Sequence, residues 1–192
     1  MSRSGYIEDE QFRQVDFTDT GFPKASYEGC RFEGCNLERC DLSGARFSDC
    51  TFVNCNLSNA TLRKTAFQEV KFEGCKLLGL HFTDCEAMLF EAAFSRCVLD
   101  YCFFTAMRLK KFAFLQCSLR EADFSRADLS AARFDGSVLT GTRFEGANLE
   151  KADFRSAEDF AIDPATVKLK GALFARPGLD GLLRHLGIRV EG

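Results

Sequence analysis

The chain has 192 residues, of which 46% are hydrophobic, and this is enough apolar material to bury the core of one domain. Its formal net charge of -3 and isoelectric point near 5.5 argue against a nucleic-acid binder that needs many phosphate contacts. The polar stretch from Met1 to Glu10 lacks the pattern of a secretory signal, and charged residues interrupt every apolar run before it could span a bilayer, so we expect a cytoplasmic protein with no membrane partner.

The N-terminal part of the chain, residues 10–82, carries an apolar residue at every fifth position. Phenylalanine dominates, since the chain has 21 Phe against 3 Tyr and 0 Trp. A period of five matches neither an α-helix nor a flat strand, so it predicts a coil built from short straight faces. The positions are Phe12, Phe17, Phe22, Tyr27, Phe32, Leu37, Leu42, Phe47, Phe52, Leu57, Leu62, Phe67, Phe72, Leu77 and Phe82.

The same period resumes over residues 89–176. Its positions are Leu89, Phe94, Leu99, Phe104, Leu109, Phe114, Leu119, Phe124, Leu129, Phe134, Leu139, Phe144, Leu149, Phe154, Leu169 and Phe174. Residues 157–166 keep the count but break the motif. The units ADFSR at residues 122–126 and ADLSA at residues 127–131 match the A-(D/N)-(L/F)-x-x motif, so the chain resembles the pentapeptide-repeat family over residues 10–176. The resemblance implies an all-β fold, a right-handed quadrilateral β-helix with four units per turn.

Four units per turn predict that residues twenty apart lie on top of one another. The sequence agrees, because one face is Phe throughout and the next is Leu after its first member. Such uniform columns are expected when side chains of one size fill a narrow interior. We therefore predict a single pentapeptide-repeat domain over residues 1–192. The Phe face comprises Phe12, Phe32, Phe52, Phe72, Phe94, Phe114, Phe134, Phe154 and Phe174.

The 10 cysteines have a structural explanation in this pattern. All but Cys85 stand two residues before a central position, where a small inward side chain is expected, and Cys acts there as a small buried hydrophobe. A metal site is the alternative, but no C-x-x-C pair occurs, and Cys30, Cys35 and Cys40 are the only plausible cluster. With His81 and His185 as the only histidines and no phosphate-binding loop, we expect no cofactor, no metal and no enzymatic activity.

The spacing of seven between Phe82 and Leu89 predicts a short bulge over residues 83–88. Apolar residues also occupy outward positions nearby, and exposed apolar groups in one stretch mark contact surfaces. The alternative is that Met107 and Phe112, which replace small inward residues, distort this coil. The candidate partner contacts are Thr83, Asp84, Glu86, Met88, Phe90, Tyr101 and Phe103.

The repeat ends after Phe174, and residues 177–192 form a predicted C-terminal helix and tail. Leucines at helical spacing lie between Pro177 and Gly187, a helix start and stop. This segment is either a lid over the last coil or a dimer interface about a two-fold axis, to which Val190 would add. The predicted interface residues are Leu179, Leu182, Leu183, Leu186 and Ile188.

The tail at residues 182–192 and the segment VKFEGCKLLG at residues 70–79 are similar to the Qnr and albicidin-immunity branch of the family. That resemblance implies a homodimer joined through C-terminal helices. It also implies a non-catalytic, DNA-mimic-like protein that binds DNA gyrase or topoisomerase IV and counters topoisomerase poisons, with no direct nucleic-acid partner. A net charge of -3 is small beside duplex DNA, so shape and a local acidic stripe must contribute. The alternative is a structural or regulatory scaffold for another cytosolic protein.

Overall fold

The computed structural model describes residues 5–188 of the chain. The chain divides into two compact units, residues 1–99 and residues 100–192.

The described part of the first unit is built from short parallel strands. One stack has the order β1-β3-β5-β7, and the other contains β2, β4, β6, β8 and β9 in sequence. The strands are β1 (Gly5–Glu8), β2 (Gln11–Arg13), β3 (Ala25–Glu28), β4 (Arg31–Glu33), β5 (Arg46–Ser48), β6 (Thr51–Val53), β7 (Ala66–Gln68), β8 (Val70–Glu73) and β9 (Ala92–Ser95).

Pairing in this unit follows the predicted spacing of twenty. Phe12 pairs with Phe32 and Phe32 with Phe52, and the stacked rings lie 4.7 and 4.6 Å apart. Within one coil, neighbouring inward rings also touch, with 5.0 Å between Phe17 and Phe22 and 5.3 Å between Phe22 and Tyr27. Four inward side chains per coil therefore fill the interior, and the predicted all-β quadrilateral β-helix is confirmed.

The coils begin earlier than the predicted residue 10. Strand β1 starts at Gly5, and its Ile7 lies opposite Tyr27 in the parallel register. An isoleucine at the central position did not match the Phe and Leu pattern, so the sequence count began one unit too late.

The second unit repeats the same stacking with isolated bridges in place of most strands. Beside β10 (Phe114–Leu115), the bridges join residues twenty apart, as in the column Arg108, Asp128, Asn148 and Lys168. The rings of Phe134 and Phe154 stack at 4.8 Å.

The C-terminal segment is helical, but it consists of two short 3-10 helices, Arg176–Leu182 and Arg184–Leu186. Leucine spacing alone predicted one amphipathic helix. Gly178 and Gly181 explain the difference, because glycine is a poor helix former and both residues pack against the ring of Phe160. Residues 189–192, which include Val190, lie outside the described residues.

The two inserted residues lie further along the chain than predicted. At Glu86, the backbone N–H still donates to the carbonyl of Thr65, just as the Ala66 N–H donates to the carbonyl of Ala45 one coil earlier. By Phe94 the register has shifted, since this residue pairs with Phe72. The insertion is therefore taken up between Glu86 and Glu91, within and beyond the predicted bulge at residues 83–88.

Cys85 belongs to the repeat, contrary to the sequence interpretation. It is buried and continues the inward column of Ala25, Ala45 and Thr65, each twenty residues apart. The sequence count left it out because the two extra residues were placed within residues 83–88 as a whole, with Leu89 as the next central position.

Candidate functional site

The interior of each unit is filled with apolar side chains, so the surfaces open to a partner lie outside. All ten cysteines are free and buried. The Cys55 sulfur lies 3.4 Å from the carbonyl oxygens of Phe32 and Val53, either of which can accept its single thiol proton. Burial raises the pKa of the Cys50 thiol to about 12, so it stays protonated and unreactive at neutral pH. Among residues 5–188, no group of three or more His, Cys, Asp or Glu side chains is placed to hold a metal ion.

The first predicted surface is the insertion turn, formed by residues 82–91. Thr83 and Asp84 lie in the 3-10 helix Phe82–Asp84, and Met88 lies in the 3-10 helix Ala87–Leu89. The Met88 side chain is 93% exposed, and Glu86 is exposed beside it. An apolar side chain held this far into solvent contributes nothing to the core, so it is the part of this turn best placed for contact.

Phe90 differs from the other predicted contacts on this turn. It is half-buried, and its ring packs edge-on against Phe67 and Phe82, with centroids 6.4 and 5.7 Å away. The outward position expected from sequence is therefore wrong for Phe90, because the inserted residues rotate it towards the core.

Tyr101 and Phe103 belong to the second unit. Tyr101 is 56% exposed and has a left-handed backbone, with φ 60°, whereas Phe103 is half-buried and bridges to Asp123. Met107 and Phe112 are half-buried, and the neighbouring backbone hydrogen bonds keep the regular spacing. The large residues at inward positions thus do not break the register of this coil.

The inner side of the C-terminal segment closes the last coil. A Cβ added at Gly181 would lie 2.5 Å from two carbons of the Phe160 ring, so only glycine fits at this distance. The Ile162 N–H donates to the Gly181 carbonyl at 2.9 Å, and the His185 imidazole lies 3.4 Å from the Asp163 carboxylate. The segment acts as the lid that the sequence allowed.

The outer side of the same segment is apolar and exposed. Leu182 is half-buried, while the other predicted interface residues are open to solvent. Closing the last coil explains the inner side of the segment only. The exposed leucines on the outer side remain available for the predicted dimer interface. The exposed residues, called the C-terminal apolar surface below, are Leu179, Leu183, Leu186 and Ile188, with exposed fractions of 44, 37, 58 and 54%.

A third surface has the form of the local acidic stripe, to which the sequence pattern assigned no residues. Carboxylates stack along one corner of the first unit. Glu8 lies opposite Glu28, and the Asp49 N–H donates to the carbonyl of Gln68, the residue before Glu69. All are exposed, and among residues 5–188 none of them forms an ion pair with Lys or Arg. This acidic edge comprises Glu8, Asp9, Glu28, Asp49, Glu69 and Glu91.

The acidic edge affects a neighbouring phenol. The Tyr6 hydroxyl donates to Glu28 at 2.7 Å, and this bond, with burial and the negative charges of Glu28, Glu8 and Asp9, raises the pKa of Tyr6 to about 12. The spacing of twenty was the signal that would have revealed this edge, because it places carboxylates from successive coils side by side.

The fold and its surfaces define a parallel β-solenoid whose interior is closed and whose outer faces carry the charged and apolar groups. The chain belongs to the pentapeptide-repeat family. The model of the pentapeptide repeat region matches residues 25–104 and 45–122, and the model of pentapeptide repeats in eight copies matches residues 117–155. No curated protein sequence matches the chain.

Solved structures show the same fold. A trypsin-treated variant of QnrB1, a plasmid-mediated fluoroquinolone resistance protein, is 24% identical with a TM-score of 0.76, over 100% of this chain and 96% of that one. HetL, a protein involved in heterocyst differentiation regulation from the cyanobacterium Nostoc sp. strain PCC 7120, is 21% identical with a TM-score of 0.54, over 92% and 90%. Among residues 5–188, no helix is long and apolar enough to cross a membrane.

Proposed function

We propose that this protein binds DNA gyrase or topoisomerase IV in the cytoplasm and protects it from topoisomerase poisons without acting on the poison. The acidic edge of the first unit carries the proposal. A topoisomerase surface that binds duplex DNA is positively charged, and a row of carboxylates without ion pairs to Lys or Arg is complementary to it. The likeness to QnrB1, described as a fluoroquinolone resistance protein, supports the same function.

The acidic edge has the regular spacing that such mimicry needs. Successive coils are about 4.8 Å apart, the separation of neighbouring strands, so the edge presents about one carboxylate per coil. Duplex DNA carries about one charge per 1.7 Å, and the edge is therefore a weaker polyanion than DNA. Binding then depends on further contacts, for which the exposed Met88 of the insertion turn is the best-placed apolar group.

The dimer is the second part of the proposal. Two C-terminal apolar surfaces paired about a two-fold axis would each bury exposed leucine side chains, and an isologous contact of this kind closes after two copies. Such a dimer carries two acidic edges, one in each chain. A scaffold for another cytosolic protein, as the likeness to HetL allows, is the competing function.

The decisive experiment is a supercoiling assay with purified gyrase, a poison and increasing amounts of the protein. We expect supercoiling to be restored by the natural protein and lost by the triple variant Asp49→Asn, Glu69→Gln and Glu91→Gln. The matched control removes the same charge elsewhere, through Asp19→Asn, Glu121→Gln and Glu145→Gln, which are exposed residues outside the edge.

The result has a clear contrary outcome. If the natural protein fails to restore supercoiling against every poison tried and forms no complex with gyrase or topoisomerase IV, the proposed function is wrong. If both triple variants lose protection equally, net charge and not the acidic edge is responsible.

A further inference from the structure

Charge is distributed unevenly along the chain. Residues 1–99 contain 11 Lys and Arg against 15 Asp and Glu, and residues 100–192 contain 14 against 13. The net charge of -3 therefore combines -4 in the first unit with +1 in the second. The acidic average that argued against a nucleic-acid partner does not describe the second unit.

Basic side chains in the second unit concentrate on one face. Bridges stack Arg108 below Asp128, Asn148 and Lys168, and the Lys151 N–H donates to the carbonyl of Lys170. All the basic side chains of this face are exposed. The lysine face, as it is called below, comprises Arg108, Lys110, Lys111, Lys151, Lys168 and Lys170.

The cations of the lysine face differ from the arginines on the other faces of the unit. Arg143 pairs with Asp123, Arg155 with Asp153 at 2.7 Å, and Arg133 with Asp135. Among residues 5–188, none of the six cations of the lysine face has an ion pair. The positive charge of this face is therefore available to a ligand, whereas four of the seven other arginines described in this unit form ion pairs, Arg120, Arg126 and Arg176 being the exceptions.

Two carboxylates, Asp128 and Glu150, lie on the same face, and Asp128 accepts hydrogen bonds from neighbouring residues. These come from the Ser130 N–H at 3.0 Å and from the Asn148 amide at 3.1 Å. Burial opposes ionisation of Asp128, but these bonds and the positive charge of Lys110 lower its pKa, so Lys110 already interacts with one carboxylate of the face. Glu150 lies between Ser130 and Lys170 in its column. Six cations against two carboxylates leave a clear positive excess on this face.

We propose that the lysine face binds the phosphate backbone of duplex DNA without recognising base sequence. This goes beyond the proposed function and does not depend on it. It also reverses the expectation, drawn from net charge, that the protein has no direct nucleic-acid partner.

Composition favours DNA over other polyanions. Protein interfaces are rich in aromatic side chains and poor in Lys, but the lysine face has five Lys among its six cations and no exposed large apolar residue. Binding of single strands needs aromatic groups on which bases stack, and this face has none. Lys side chains are flexible point charges, which suits contact with phosphates and supplies no bidentate recognition of bases.

The dimensions of the face fit a groove edge. Lys110 and Lys170 are three coils apart, about 14 Å, and Lys111 and Lys151 are two coils apart, about 10 Å. The major groove of B-DNA is about 12 Å wide. Long Lys side chains from the two ends of the face therefore reach phosphates on both sides of the groove.

Fluorescence anisotropy of the full-length protein with a labelled duplex of arbitrary sequence tests this, between about 50 and 200 mM salt. Six phosphate contacts predict a slope of log K against log salt of about -5. The variant Lys110→Gln, Lys151→Gln and Lys170→Gln should bind at least tenfold more weakly at low salt, with a slope of about -3. The control Lys64→Gln, Lys71→Gln and Lys76→Gln removes the same charge from exposed positions in the first unit and should bind as the natural protein does.

Three results would overturn the proposal. The first is no binding of the duplex at low salt, and the second is equal weakening by both triple variants. The third is equal affinity for polyglutamate or for vesicles of anionic lipid, which would assign the face to an acidic protein or a membrane surface. The assay contains no topoisomerase, so its outcome is independent of the supercoiling experiment.

Discussion

Gly181 lies against the ring of Phe160 so closely that a Cβ at Gly181 would be 2.5 Å from Cδ2 and Cε2 of that ring and from the Phe160 carbonyl oxygen. Phe160 is buried and stands next to the position where the regular count places Asp159. The chain thus closes its last coil with a displaced phenylalanine and a glycine that covers it.

Substituting Gly181→Ala should open this contact. The new methyl group meets both a ring and backbone, neither of which can move freely, so we expect a loss of about 1–3 kcal/mol in the free energy of unfolding. Urea denaturation measures it. The control Gly187→Ala lies in the same segment, where a Cβ meets nothing within 4 Å, and its left-handed φ of 65° costs about 1 kcal/mol. A Gly181→Ala variant as stable as the natural protein would show that the lid does not depend on this contact.

The contact between the lid and Phe160 shows where sequence reasoning stops. The columns of Phe and Leu could be predicted because each position repeats the same environment, and Phe12, Phe32 and Phe52 stack as the period requires. Phe160 could not, since it satisfies the core from a position one residue outside the count. Its position depends on packing against Gly178 and Gly181, which no local sequence pattern indicates.

The insertion shows the same limit in another form. The spacing of seven between Phe82 and Leu89 shows that two residues are extra, but it does not show which of residues 83–88 they are. Only the hydrogen bond from Glu86 to Thr65 shows that the regular coil continues to that point.

The acidic edge and the lysine face could be predicted from the sequence, because the spacing of twenty places their residues together. Which of the charged side chains form ion pairs could not be predicted, because ion pairing depends on side-chain positions in the folded protein.

Deleting Ala87 and Met88 should restore an uninterrupted repeat, since Leu89 then follows Phe82 at a spacing of five. We expect the variant to fold with an unchanged or higher thermal midpoint, because the deletion removes exposed residues and keeps the register. If the turn contacts the topoisomerase, protection in the supercoiling assay should fall at least fivefold, corresponding to about 1 kcal/mol of binding energy.

The variant Met88→Ser separates the side chain from the turn. It keeps the backbone length and removes the apolar group, so it should reduce protection as far as the deletion does if Met88 makes the contact. Full protection by the deletion variant would remove the insertion turn from the proposed interface.

Replacing Leu186 with Asp should dissociate the proposed dimer. Leu186 is 58% exposed, so the charge costs little in the monomer but would be buried without a partner in a two-fold contact. Light scattering should give the mass of a single chain, 21.5 kDa, for this variant and about twice that for the natural protein. The control Leu115→Asp alters another exposed leucine outside the C-terminal apolar surface and should leave the mass unchanged. A single-chain mass for the natural protein would contradict the dimer directly.

The ion pair between Lys24 and Asp41 should make a small, pH-dependent contribution to stability. The Lys24 ammonium donates to Asp41 at 2.7 Å, and this bond, with those from Ser43, lowers the pKa of Asp41 to about 2. A carboxylate with a lowered pKa stabilises the folded state above its unfolded pKa of about 3.9, and this stability is lost as the pH falls through the folded value. Both side chains are more than half exposed, so solvent screening limits the contribution to less than about 1 kcal/mol.

Urea denaturation of Lys24→Gln should therefore show a small, constant loss in the free energy of unfolding from neutral pH down to about pH 5, and this loss should vanish towards pH 2. Lys64→Gln, which alters an exposed lysine on the same face, is the control, and a loss that persists undiminished at low pH would show that Lys24 acts through packing and not through charge.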